Sequence, residues 1–178
     1  PHNFSANWVY ELPKATHNKA LGYALNDWQL SGIYRYGTGQ PYNLGINVSG
    51  VSAYTLTGTQ NVEGARIVLL KNPGSGHSSN PYRQFDTTAF ALPTPGSTSY
   101  ESGRNFLYRS PINSWDLSLS KRFRFKERVE MEFRLDAFNA FNHTNFSRLI
   151  GEQSSSLFGQ ANSALPARTL QLSIRYSF

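Results

Sequence analysis

The 178-residue sequence contains no cysteine. A disulfide scaffold, a thiolate metal site and a cysteine nucleophile are therefore excluded, although the compartment is left open. Methionine is almost missing too, with Met131 alone, and no signal-peptide pattern is visible. We expect a mature or truncated C-terminal piece of a longer protein. Charge is sparse: Asp, Glu, Lys and Arg make up 16% of the residues, against roughly 25% in ordinary soluble domains. Mean hydropathy is negative, and no stretch approaches the roughly 20 apolar residues that a membrane helix needs.

Aromatic residues, by contrast, reach 14%. A chain of one-domain length that is poor in charge, rich in Tyr and Phe, and free of long apolar runs suits a membrane β-barrel, where only every second residue meets lipid. It suits a soluble β-sandwich or lectin-like domain equally well. The C-terminal stretch tilts the choice. From Arg168 to Phe178, Leu170, Leu172, Ile174, Tyr176 and Phe178 share one parity, and Thr169, Gln171, Ser173, Arg175 and Ser177 share the other. Successive strand residues point to opposite faces, so this stretch predicts a strand with one oily and one wet face. It stops at an aromatic on the oily side, as expected of a strand facing lipid; a soluble edge strand would leave an apolar end free to aggregate.

Similar alternation predicts strands at about 3–12, 27–36, 113–125 and 129–138, besides 168–178. In the first, Phe4, Ala6, Trp8, Tyr10 and Leu12 oppose Asn3, Ser5, Asn7, Val9 and Glu11, and Pro13 ends the run. In the second, Trp28, Leu30, Gly32, Tyr34 and Tyr36 oppose Gln29, Ser31 and Arg35, with Ile33 as the exception. The third and fourth form the clearest hairpin, turning at Lys126-Glu-Arg128, with opposite charges on their polar faces that could meet across the strands. Nine to eleven tilted residues cross a hydrocarbon layer, so the lengths fit a membrane wall. Residues 14–26 read as a polar, mildly basic connection. Residues 42–112 read as a long Gly/Pro/Ser/Asn-rich loop with local strand at Ala65–Leu70, paired with Ser52–Thr57. Phe138-Asn-Ala-Phe-Asn-His-Thr-Asn-Phe146 reads as an Asn/aromatic corner, followed by a second loop at 147–166. The fold class expected is all-β, an antiparallel up-and-down meander with long loops on one side and short turns on the other.

The hairpin beginning Asn113-Ser-Trp-Asp-Leu-Ser-Leu-Ser-Lys-Arg-Phe123, followed by Glu132-Phe-Arg-Leu-Asp-Ala-Phe-Asn-Ala-Phe-Asn-His-Thr-Asn-Phe146, resembles the C-terminal barrel of TonB-dependent outer-membrane receptors. The likeness is strongest to the Oar-like group, whose N-terminus carries a carboxypeptidase-regulatory-like domain. Asn7–Pro13, Trp28–Ile33, Gly39–Tyr42, Phe85–Phe90 and Gly103–Asn105 follow in the same order as in that group. The resemblance implies the outer membrane of a Gram-negative bacterium and TonB-energised uptake or surface binding of a large solute. It makes Ile174, Tyr176 and Phe178 the signal read by the barrel-assembly machinery. It also orients the chain, with 13–27 and 126–128 periplasmic and 42–112 and 142–166 extracellular. Family barrels have about 22 strands, so the 178 residues are expected to form the closing arc of a transmembrane β-barrel. Its partners would be outer-membrane lipid and lipopolysaccharide, a plug domain and the remaining barrel, and TonB through other parts of the protein.

The candidate chemistry is that of a binder. His2, His17, His77 and His143 lack metal-ligand spacing, and His143 reads as a loop cap. No G-x-S-x-G elbow occurs. No enzyme, metal or cofactor is expected. The basic run Lys121–Arg128 reads as a solvated hairpin turn, with no nucleic acid as partner. Asp116, Arg122, Arg124, Glu130, Glu132, Arg134, Asp136 and Arg175 are expected to face the lumen, either touching a plug or solute or forming a charge ladder that satisfies itself. In the long loop, Tyr82, Phe85, Phe90, Tyr100 and Tyr108 offer stacking surfaces for a sugar, siderophore or peptide, or else pack the loop on itself. Arg104 and Arg109 are candidates for phosphate or another anion. The alternative function is a self-contained small barrel or sandwich that binds carbohydrate or a surface.

Overall fold

The computed structural model of the chain describes residues 1–47, 56, 65–74, 80–95, 102–103, 105–126 and 129–178. In chain order the elements are β1 (Asn3–Glu11), helix α1 (Lys19–Leu25), β2 (Trp28–Gly37), β3 (Pro41–Tyr42), β4 (Val68–Leu69), β5 (Phe90–Ala91), β6 (Leu107–Tyr108), β7 (Ile112–Lys126), β8 (Val129–Phe138), β9 (Phe146–Leu149), β10 (Ala161–Ala164) and β11 (Thr169–Ser177). They fall into two units. One holds residues 2–37, 112–145 and 166–178; the other is built from 38–111 and 146–165.

The first unit is a five-stranded sheet in the order β1-β2-β7-β8-β11. Every neighbouring pair is antiparallel. This is the up-and-down meander expected from the alternating pattern. Register does the rest. Trp8 lies opposite Gly32, Gly32 opposite Leu117, Leu117 opposite Ala137 and Ala137 opposite Leu170. Because side chains alternate, one aligned row fixes all others, and the apolar parities of the five strands merge into a single face. That face is bare. Leu170, Leu172 and Ile174 are 61%, 70% and 61% exposed.

Aromatic residues gather toward both ends of this face. At one end Tyr34 lies 4.4 Å from Trp115, and Trp115 meets Phe141 edge-on at 5.8 Å. Toward the other, Phe123 meets Phe133 edge-on at 5.6 Å, and Tyr176 lies 6.0 Å from Phe178. Leucines fill the band between. From Trp115 to Phe123 the strand advances roughly 26 Å, which at a tilt of about 40° spans about 20 Å of the roughly 25 Å apolar band of outer-membrane barrels. Gly32 sits under the indole of Trp8; a Cβ there would lie 2.4 Å from the ring. The glycine in the apolar row is thus the seat for a tryptophan.

Helix α1 departs from the sequence expectation of an irregular connection. Asn18 caps it, its Oδ1 accepting from Ala20 N at 2.9 Å. Seven residues including Gly22 make a weak helix by propensity, so long-range anchoring decides. Asn26 supplies it: its amide nitrogen donates to Thr16 O at 2.8 Å, and its Oδ1 accepts from Ala15 N at 2.8 Å.

The second unit has a conventional interior. Ile67, Phe85, Ala89, Phe90 and Leu107 are buried together, with Tyr42, Leu44, Ile46, Phe106, Leu149 and Phe158 packed around them. Short ladders, β3 with β6, β4 with β5 and β9 with β10, staple it. The strand expected over Ala65–Leu70 shrinks to β4, which pairs with β5, and the partner expected at Ser52–Thr57 lies, apart from Leu56, outside the described residues. The loop expected at 147–166 contains the β9–β10 hairpin. Pairings across such sequence distances leave no periodic trace.

Candidate functional site

The 38–111 connection is gathered by close backbone contacts. Gly39 passes so near β6 that a Cβ would lie 1.7 Å from the carbonyl oxygen of Arg109. Arg109 N donates to Gln40 O at 3.0 Å. This crossing explains why Gly-Gln-Pro-Tyr suits residues 39–42: glycine permits the approach and Pro41 rigidifies an edge strand that needs no donor there. Behind the crossing lies a cavity of about 650 Å³, whose walls include Tyr42, Asn72, Gln84, Phe106, Tyr108 and Arg109. Its volume is that of a small-molecule pocket.

The cavity combines aromatic edges with a single arginine. The Arg109 guanidinium also donates to Ser147 O at 3.4 Å. Burial pushes the Tyr42 phenol well above its ordinary value, and the positive charge of Arg109 opposes that shift only in part. The phenol therefore stays protonated at neutral pH and can donate a hydrogen bond. Ser110 Oγ donates to the amide oxygen of Gln84. An amide oxygen is not a base, so this serine is not activated as a nucleophile. The arrangement can hold a ligand with a flat or apolar body and an acceptor or anionic group. No acid–base pair poised for chemistry occurs among its described lining residues.

The loop residues singled out from sequence divide three ways. Tyr108 is exposed and lines the cavity; Tyr82 is exposed and stands edge-on to Phe146 at 6.1 Å. Phe85 and Phe90 are corrected: they are 1% and 7% exposed and meet edge-on at 5.3 Å in the core, so Phe90 offers no stacking surface and Phe85 only an edge of the cavity wall. Burying each ring removes apolar area worth about 1.5–3 kcal/mol, which is why the interior claims them. Tyr100, Arg104 and His77 lie outside the described residues.

The charged residues picked from β7, β8 and β11 share the face opposite the apolar one. Ser118 pairs with Asp136, Arg122 with Glu132 and Arg124 with Glu130 in register, and Arg175 follows opposite Glu132. Asp116 and Arg134 fall on the same parity. The charges partly satisfy one another: Arg124–Glu130 at 3.6 Å and Arg134–Asp136 at 2.9 Å. Two partners were not among the residues chosen from sequence. Arg35 pairs with Asp116, and Glu11 with Arg122 at 3.2 Å. Hairpin pairing could not reveal them, because they arrive from β2 and β1. A shallow groove of about 440 Å³ crosses this face, and Val9, Ile33 and Phe138 interrupt its polarity.

The Asn/aromatic corner closes the face at one end. Asn145, 3% exposed, donates from its amide to Asn113 O at 2.9 Å and accepts from Asn113 N at 2.7 Å. Asn139, at φ 50°, accepts from His143 N and donates to His143 O, both at 2.9 Å. The loop cap expected of His143 is thus performed by Asn139 on the histidine's main chain. Asn tolerates the left-handed conformation and bonds locally, so its repetition in 139–145 is structural.

Ile174, Tyr176 and Phe178 lie on the bare apolar face, at the end of β11 that pairs with the start of β8. No group of acids and histidines able to hold a metal occurs among the described residues, and no helix among them is long and apolar enough to cross a membrane. A family model described as an outer membrane beta barrel domain matches residues 1–171. No curated protein matches the chain, and no solved structure matches it.

Proposed function

The chain belongs to the outer membrane beta barrel domain family and sits in the bacterial outer membrane, and from that premise we propose that it is the closing arc of a TonB-dependent receptor of the Oar-like kind. The observation that carries the membrane-wall part is the five-strand register, which brings every apolar parity onto one uncovered face. In lipid, open edges at β1 and β11 would leave backbone groups unpaired, so further strands complete the wall.

In this reading the charged face of β7, β8 and β11 looks into the lumen, with Val9, Ile33 and Phe138 as footholds for a plug. Ile174, Tyr176 and Phe178 are what the assembly machinery recognises. The connections 38–111 and 146–165 face the cell exterior and capture a large solute, with Tyr108, Tyr42 and Arg109 contacting one of its groups and Arg104 meeting anions, including lipopolysaccharide phosphate. The protein moves or binds its solute and catalyses no reaction. The experiment is retention of the TonB periplasmic domain by the detergent-extracted protein that contains this chain. Retention that weakens when its TonB-binding segment is deleted supports uptake. No retention by a correctly assembled protein contradicts it and leaves surface binding.

A further inference from the structure

Lys121 is out of place by pattern. It lies on the apolar parity of β7, between Leu119 and Phe123, yet is only 4% exposed. Its ammonium donates to Asn26 O and, at 3.4 Å, to Arg122 O, and lies 4.8 Å from the ring centroid of Phe123. The connection carrying α1 makes this possible by folding against the sheet: Trp28 Nε1 donates to Ala24 O at 2.9 Å. On either side of Lys121 a depression opens. One, of about 360 Å³, is walled by Ala24, Trp28, Leu119, Phe133, Leu135 and Leu172. The other, of about 390 Å³, is lined by Lys14, Lys19, Arg122 and Arg124, with Asp27 the one acid among its described lining residues. Arg122 and Arg124 have carboxylate partners in Glu11 and Glu130. Lys14 and Lys19 are exposed and have no acidic partner among the described residues.

We propose that this rim of the sheet is a binding site for an anionic glycerophospholipid, one acyl chain lying in the slot beside Trp28 and the phosphate seated in the cationic pocket under Lys14 and Lys19. The slot belongs to a face that meets hydrocarbon, so an acyl chain is its natural occupant. The adjoining pocket has excess positive charge, which favours a head group with net negative charge over a zwitterionic one. Helix α1 leaves Leu21 and Leu25, one turn apart on the same side, exposed beside it, as a segment resting at the head-group boundary does. The site lies at the end of the sheet where β11 finishes. The inference rests on the membrane location alone and stands whether or not the protein transports anything.

The test uses the full protein with Trp8→Phe and Trp115→Phe, so that within this chain Trp28 reports; tryptophans elsewhere in the protein are replaced likewise. It is reconstituted in phosphatidylethanolamine vesicles into which brominated phosphatidylglycerol or brominated phosphatidylethanolamine is titrated, and quenching of Trp28 is followed. At about fivefold per lysine near a charged surface, phosphatidylglycerol should reach half-quenching at a mole fraction roughly tenfold lower or more. Lys14→Gln with Lys19→Gln should bring the two lipids close together. Equal quenching by both lipids in the parent, or a preference unchanged by the lysine replacements, overturns the site. Should the tryptophan variant assemble poorly, native mass spectrometry of the detergent-extracted parent decides: retained phosphatidylglycerol that the lysine variant loses supports the proposal, and equal occupancy in both refutes it.

Discussion

The two units of this chain solve opposite problems. In the unit built from 38–111 and 146–165, the buried side chains are Ile67, Phe85, Ala89, Phe90 and Leu107, as in any protein that folds in water. In the five-stranded unit the side chains buried among the described residues are those of Ser118, Ser120, Lys121, Asn139 and Asn145, besides the glycine Gly32, while Leu170, Leu172, Ile174 and Phe125 are exposed. The first hides its oil and the second wears it. The difference teaches that burial cannot be read from residue type alone; it depends on which solvent each face meets. A single composition, poor in charge and rich in aromatics, serves both.

The comparison can be broken at several points. Phe85→Ala empties the centre of the loop unit and should cost about 3–5 kcal/mol there. Hydrogen exchange would show residues 80–92 losing protection while β7 and β8 keep theirs; equal loss in both would mean that they share one core. Leu172→Arg tests the other side. A cation in mid-hydrocarbon costs about 2–4 kcal/mol, read as a lowered denaturant midpoint for unfolding from bilayers, and a neutral outcome would mean that this face meets water. Asn145→Ala strips Asn113 of two buried hydrogen bonds and should cost about 1–3 kcal/mol, seen as a lower temperature of heat modification on gels. Asn142→Gly, which keeps the left-handed backbone (φ 52°) and loses one exposed bond to Arg168 N, should cost less.

The smallest effect is electrostatic. Asp86 accepts hydrogen bonds from Lys71 and Thr88, which lower its pKa from 3.8 to about 2. A carboxyl whose folded pKa is depressed contributes its stability above its unfolded value and loses it as pH falls toward the folded one. The loop unit should thus weaken between pH 4 and 2. Asp86→Asn should flatten that slope in a proteolysis series across the range, by little, because the pair is exposed and screened. An unchanged slope would assign the acid sensitivity to another group.

Much of the sheet was legible because its information is local. Alternation in 169–177 or 129–138 names each residue's face without knowledge of the partner strand. The polar-face set followed for the same reason. The loop unit was opaque: Val68 and Leu69 find Ala91 and Phe90 across some twenty residues, and no period announces such a meeting. Phe85 and Phe90 could not be told from ligand-stacking aromatics, since the same rings serve either end. Arg35 and Glu11 escaped because their partners come from strands that the sequence separates by long connections. Lys121 read as the start of a solvated turn, yet it is buried within β7, and only the fold of 14–27 gives it a seat.

The account stands or falls on what the even-numbered residues of β11 touch. The chain lacks cysteine, so single cysteines can be placed in turn from 169 to 177 and spin-labelled in the bilayer-embedded protein, once any cysteines elsewhere in the protein are replaced. Labels at 170, 172, 174 and 176 should collide readily with dissolved oxygen and poorly with a water-soluble nickel chelate, while 169, 171, 173 and 175 show the reverse bias. Even positions reached by the chelate, or shielded from both reagents, would contradict the claim that this face meets lipid.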